Sequence, residues 1–222
     1  MSELQEKIVR CPDCGKENKF LMHTSINLTH NPELRDQILS QRVFNYKCDC
    51  GCNTHVFYPV LVHNMDNKFM VQFCDSSHFD DYKDNFKKLI EKDPLNAMKD
   101  YKFRIVDKPF ELTEKVLILE SKYDDRVIEV LKEMMIASSP NQEIAYLIYA
   151  KDKEKGNVFL CLNQNNTLIG MMPFRDELYD SVLGMFGSEA MKDTNYVINQ
   201  EWAREFLCEV KLWHTKSFGK SL

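Results

Sequence analysis

Five cysteines crowd into two short stretches of this chain, "CPDCG" at residues 11–15 and "CDCGC" at residues 48–52. Two clusters of close thiols, well separated along a sequence, form the pattern of a four-coordinate structural zinc site. A C-x-x-C turn lets both sulfurs reach one metal ion while backbone N–H groups point at the thiolates, and a following glycine permits the left-handed conformation that tightens the turn. Cys11, Cys14 and Gly15 supply all of these parts. The second cluster offers two pairings. Cys48 with Cys50 is C-x-C and keeps Gly51 behind the second thiol, whereas Cys48 with Cys52 is C-x-x-x-C and lies within the usual ligand spacing. Tetrahedral zinc accepts either, so spacing alone leaves the fourth ligand open. A CPxC motif can also be a redox centre with an activated thiolate. Here it lies close to the start of the sequence, with no room for the βα framework that normally carries such a centre.

Composition narrows the function classes. With 222 residues and 44% apolar content the chain can build one large or two small cored domains. The net charge is -5, and Lys and Arg equal Asp and Glu in number across residues 1–60, the cysteine-bearing end. That balance disfavours sequence-independent nucleic-acid binding, which needs clustered cations. The opening "MSELQEKIVR" is polar, and nowhere do eighteen apolar residues run together, which predicts a soluble, cytoplasmic chain with no membrane segment. In that reducing compartment the eight cysteines are metal ligands or buried thiols rather than disulfides.

The coarse pattern is α+β. "NKFLMHTSIN", "RVFNYK", "THVFYPVLVH" and "NKFMVQFC" read as strands, with a short helix over "PELRDQILS" capped by Asn31 and opened by Pro32. Composition changes near residue 75, and Tyr82, Phe86, Leu89 and Ile90 mark the apolar face of a connecting helix. A strand over "YKFRIV" follows, then helices over "PFELTEKVLILE" and "DDRVIEVLKEMMI". Next come "EIAYLIYAK", "NVFLCLN" and "TLIGMMP", an antiparallel meander joined by turn-forming residues, and two closing helices, "RDELYDSVLGMF" and "QEWAREFLCEVKLW". The expected organisation is a zinc-ribbon-like β domain with a short inserted helix over residues 1–78. A helical connector and an α+β domain with packing helices are expected over 79–222.

The "CPDCG" knuckle, "SIN" (25–27), "NPELRDQIL" (31–39), "FNYKC" (44–48) and "YPVLVH" (58–63) together resemble the CpXC domain of uncharacterised prokaryotic proteins. "YKFRIV" (101–106), "ELTEKVLILES" (111–121) and "YDDRVIEVLK" (123–132) are similar to the segment that follows it in longer members. The resemblance implies zinc held by two cysteine pairs. Counted back from Tyr58 and Pro59, Cys50 and Gly51 fall where the family's last cysteine and its glycine belong, so the implied ligands are Cys11, Cys14, Cys48 and Cys50. Cys48 sits one residue closer than the family spacing, and Cys52 is the alternative fourth ligand. Where the family tends to show Tyr-His-Asp, this chain has Val62, His63 and Asn64.

Other candidates have bland readings. His63 is a possible base, yet a strand histidine is more often a hydrogen-bonded structural residue, and His23, His30 and His55 carry less signal. Asp124 reads as a helix cap, Asp125 as a charge favouring the positive helix end, and Arg126 as reaching Glu129. Glu114 and Lys115 read the same way. Phe57, Tyr58, Phe69 and Phe73 read as core rather than base-stacking residues, and Cys74, Cys161 and Cys208 as buried thiols. The expected function is that of a non-catalytic bacterial or archaeal protein whose structural zinc ribbon supports a protein-interaction or regulatory surface, with a protein partner or homo-oligomer. The alternatives are a nucleic-acid-binding regulator using Lys16, Lys19, Arg42 and Lys47, and an enzyme with its site in the C-terminal domain.

Overall fold

The computed structural model describes residues 2–218, with side chains as far as residue 210, and the chain divides into two compact units, Met1–Val116 and Leu117–Leu222. The fold is α+β. In the first unit, β1 (Glu3–Arg10) and β2 (Glu17–Asn27) precede a short helix, α1 (Arg35–Leu39). There follow β3 (Asn45–Lys47), β4 (Asn53–His55), β5 (Val60–Asn64), β6 (Phe69–Phe73), α2 (Phe79–Glu91), β7 (Lys102–Val106) and α3 (Pro109–Glu120), which crosses the division.

Five of these strands form one sheet in the order β1-β2-β5-β6-β7, and β3 pairs separately with β4. Every residue of β6 is buried, because it is a central strand flanked on both edges. Its polar member, Gln72, donates a 2.8 Å hydrogen bond to the Phe73 carbonyl. β6 and β7 run parallel, with Phe69 opposite Lys102 and Phe73 opposite Val106. A parallel pair needs a crossover, and α2 lies within it. The compact unit therefore extends well past the composition change near residue 75.

β2 is longer than its inner neighbour. It pairs with β5 only over Ser25–Asn27, so its first part, with β1, makes a two-stranded ribbon. β1 falls on a polar stretch whose composition predicts no element. It forms as an edge strand, paired from Glu3 to Arg10, and alternating charges suit that position. An aromatic cluster ties the ribbon to the chain that follows. Phe20 meets Tyr46 and Tyr58 edge-on at 5.9 and 6.0 Å, and the Tyr58 hydroxyl donates to the Val43 carbonyl at 2.9 Å while accepting from the His23 amide at 3.2 Å.

Several local expectations shift. The helix after Asn31 splits into a 3-10 turn over Pro32–Leu34 and α1, and Asn31 makes no side-chain cap because it accepts from Ser2 Oγ and donates to Glu33. "RVF" is a 3-10 turn leading into β3. In α2 only Phe86 is buried, against Phe103 at 5.0 Å, while Leu89 and Ile90 remain exposed.

The second unit contains α4 (Asp125–Ser138), β8 (Tyr146–Asp152), β9 (Gly156–Leu162), β10 (Leu168–Pro173), α5 (Asp176–Ala190) and α6 (Gln200–Phe218). The strands form the expected antiparallel meander, β9 in the centre. α4 packs on β8, α5 and α6. Asp124 caps α4 by accepting from the Arg126 amide at 3.0 Å. The Arg126 side chain does not run on to Glu129 as expected. It grips Asp124 with two bonds of 2.9 and 2.8 Å and donates to the carbonyls of Met191 and Asp193, while Glu129 pairs with Lys132 at 2.9 Å. These charges are buried, Asp125 and Glu129 almost completely, so they are not the solvated first turn that the sequence suggests.

Burying a carboxylate is tolerable only with a hydrogen-bonded partner. Arg126→Ala is therefore expected to destabilise the protein by about 3–5 kcal/mol, measured by denaturant unfolding. Lys155→Ala, on the exposed β8–β9 turn, is expected to change stability by less than about 0.5 kcal/mol.

Candidate metal centre

Both cysteine clusters sit at hairpin tips. The first links β1 to β2 beyond the Arg10–Glu17 pair, and the second links β3 to β4 beyond Lys47–Asn53. In the first tip the Gly15 amide donates to the Cys11 carbonyl at 3.0 Å and the Cys11 amide to the Lys16 carbonyl at 2.9 Å. Gly15 has φ +71°, left-handed backbone that glycine adopts without strain. The second tip repeats the device: the Gly51 amide donates to the Cys48 carbonyl, the Cys48 amide to the Cys52 carbonyl, both at 2.9 Å, and Gly51 has φ +98°. The C-x-C spacing thus still closes a tight, glycine-dependent turn.

The two tips bring four sulfurs together. Sγ of Cys11 lies 3.7 Å from Sγ of Cys50, and Sγ of Cys14 lies 3.7 Å from Sγ of Cys48, so each close pair joins the two hairpins. All four sulfurs lie within 4.8 Å of one another and can hold a metal ion. Four thiolates placed tetrahedrally at about 2.3 Å from a zinc-sized ion stand about 3.8 Å apart. The two separations that join the hairpins match that edge. Cys52 is buried but outside this group, while Cys50, though exposed, is within it.

The electrostatics follow from the turns. The Cys14 amide, facing Cys11, holds the Cys11 thiol down to about 6 against the opposing effect of burial. The Cys50 amide likewise lowers Cys48. Cys50 receives the Cys52 amide, yet its neighbours Cys48 and Cys14 outweigh it and push the thiol up to about 12. Burial, then Asp13 and Cys11, push Cys52 up to about 12. One thiol of each hairpin is thus shifted towards its thiolate, and further negative charge is resisted by its neighbours. A donor set of this kind suits a bound cation, which offsets the repulsion and takes up all four sulfurs as thiolates.

A supporting residue escaped the sequence reading. Asn18 Nδ2 stands 3.4 Å from Cys48 Sγ and donates to the Tyr46 hydroxyl at 2.7 Å and the Lys16 carbonyl at 3.3 Å. Its partners lie up to 30 positions away, beyond the reach of any local motif. Lys16 pairs with Asp49 across the tips at 3.1 Å, and Lys19 pairs with Glu6 at 2.9 Å. Two of the cations that a nucleic-acid reading would use therefore face carboxylates.

The remaining candidates are placed elsewhere. His63, on β5, has Nε2 3.2 Å from the Tyr101 hydroxyl, and burial lowers its pKa. His55 is exposed and stacks on Phe57, 5.7 Å between ring centroids. Tyr58, Phe69 and Phe73 are core residues, but Phe57 is half exposed. Cys74 and Cys161 are buried thiols as expected; Cys208 is exposed on α6 and corrects that expectation, because its side of the helix borders an open groove.

The protein is thus an α+β chain whose N-terminal sheet carries a four-cysteine cluster able to hold a metal ion. The sequence profile described as CpXC protein matches residues 9–132, more than half of the chain, and the protein belongs to that family. No curated protein and no solved structure matches the chain. Among the described residues no helix is long and apolar enough to cross a membrane.

If Asn18 supports Cys48, Asn18→Ala should lower metal affinity by about 10–100-fold in a chelator-competition titration, with the stoichiometry unchanged.

Proposed function

We propose that Cys11, Cys14, Cys48 and Cys50 hold one zinc ion, and that this zinc is structural. The observation that carries the reading is the pair of 3.7 Å sulfur separations joining two hairpin tips. Thiolate ligands in tetrahedral array favour zinc among the common ions, and four of them close its coordination sphere. A closed sphere has no position for water or substrate, so the ion's part is to lock the tips together. The two hairpins differ in length, and the second is short, with three residues each in β3 and β4. Joined by a metal, they make a rigid zinc-ribbon-like end to a domain of a cytoplasmic bacterial protein.

We read the protein as a non-catalytic binding protein in which the zinc-stiffened domain and the C-terminal part present surfaces to a protein partner. The neutral balance of the cysteine-bearing end and the Lys16–Asp49 and Lys19–Glu6 pairs favour a protein over a nucleic acid as that partner.

Native mass spectrometry of the purified chain, before and after a chelator, tests the reading. One zinc per chain is expected. Cys11→Ser, Cys48→Ser and Cys50→Ser should each abolish it, and Cys52→Ser should leave it intact. Loss of zinc in Cys52→Ser with retention in Cys50→Ser would contradict the ligand set.

A further inference from the structure

The large sheet of the first unit ends at β1, which is bonded to β2 on one side only. Every residue of β1 except Val9 is exposed. Leu4 and Ile8 of β1 and Leu21 of β2 are 60%, 59% and 58% exposed. The hairpin register puts all three on one face, since Leu4 and Ile8 alternate with Glu6 and Glu6 stands opposite Leu21. An edge of this length, with apolar side chains in water, is a template for another strand.

The hairpin also fixes which backbone groups are free. The Cys11 amide donates to the Lys16 carbonyl, so Cys11 bonds inward, towards β2. Bonded and non-bonded positions alternate along an antiparallel pair. Val9, Lys7 and Gln5 therefore bond to β2, while Ile8, Glu6 and Leu4 turn their amides and carbonyls outward.

Charge selects the occupant. Glu3 and Glu6 make one half of β1 acidic, and Lys7 and Arg10 make the other half basic. Glu6 is held by Lys19 at 2.9 Å, and Arg10 Nε donates to the Gly15 carbonyl at 3.2 Å. Glu3 and Lys7 make no ion pair among the described residues, and Glu3 accepts a long 3.5 Å bond from the Thr24 hydroxyl. These two charges lie on the same face of the strand.

That order of charges is self-complementary. When two copies of β1 run antiparallel about a two-fold axis at Gln5, Glu3 of each stands opposite Lys7 of the other, in the non-bonded positions where facing side chains come closest. Leu4 and Glu6 then exchange the outward backbone bonds. Leu4 lies diagonal to its own copy and to the other copy's Ile8, about 7–8 Å away and within reach of long side chains. An axis at Glu6 or Lys7 instead sets that charge against itself, and an axis at Ile8 calls on Glu6 and Arg10, both already engaged. The charges that deter an arbitrary strand from this edge thus admit one with the matching order.

We infer that β1 pairs antiparallel with β1 of a second copy, with Glu3 against Lys7, to make one sheet continuous through a homodimer. The inference rests on the reading of the chain as a binding protein but not on the metal centre. A monomer carrying zinc would sink the dimer alone, and a metal-free dimer would sink the metal reading alone.

Sedimentation velocity of the full chain over a concentration series tests it. A reversible dimer is expected. Glu3→Lys and Lys7→Glu should each weaken the dimer by about tenfold or more, because the two-fold turns both ion pairs into like-charge contacts. The double variant Glu3→Lys/Lys7→Glu restores opposite signs and should return to within about threefold of the original affinity. Both positions are exposed, so the variants should fold. Glu6→Pro removes an outward amide hydrogen and should abolish the dimer while β1 stays paired with β2. Lys153→Glu, exposed on the β8–β9 turn, should have no effect. A dimer that either single charge reversal leaves unchanged, or that the double variant does not recover, would overturn the proposal. So would a chain that stays monomeric up to about 1 mM, which would leave this edge to a strand of another protein.

Discussion

The first unit depends on bringing four thiols from two hairpins to one point. Unassisted, that convergence is unfavourable, because each added thiolate raises the cost of the next. This appears directly in the opposed directions of Cys11 and Cys50, one pulled down by an amide and the other pushed up by neighbouring sulfurs. The tight turns offset part of that repulsion, and a bound cation would offset the rest. Glycine at positions 15 and 51 tightens each turn until amides face the sulfurs, and the Phe20–Tyr46–Tyr58 cluster fixes the long ribbon against the short one. Asn18 then links the ribbon to the Cys48 sulfur and the Tyr46 hydroxyl.

The second unit is held by other means. It has a meander with an apolar face and three helices, and two of its buried carboxylates, Asp124 and Glu129, are gripped by Arg126 and Lys132. Asp124 is the clearest, serving as a helix cap and an Arg126 partner at once, while its own amide donates to the Tyr179 hydroxyl. Removing one member of such a set leaves the other charged and dry, which makes these residues structural even though their types suggest chemistry.

Much of this was legible in the residues. Strands with strong β-branched or aromatic runs, such as β6, β7 and the meander, were evident because a two-residue period or a continuous apolar run has few other meanings. The "CPDCG" turn announced its own geometry. Three features were not legible, for distinct reasons. β1 alternates charges with Leu4 and Ile8, and its strand character comes from pairing with β2 rather than from any core face. α2 has a good amphipathic pattern, but only Phe86 finds a neighbour to bury it. The choice between Cys50 and Cys52 is tertiary: either spacing closes a turn, and only the position of the opposing hairpin decides which sulfur meets Cys11. Asn18 and the burial of Asp125 and Glu129 belong to the same class, being set by partners remote in sequence.

The central claim is that two hairpin tips share one ion through four sulfurs. X-ray absorption spectroscopy at the zinc edge of the purified full-length chain tests it most directly, since it reads ligand type and distance without a crystal. The expected result is a single shell of four sulfurs at about 2.3 Å. A shell containing nitrogen or oxygen, or fewer than four sulfurs, would contradict it, by showing an ion that the two tips do not close around.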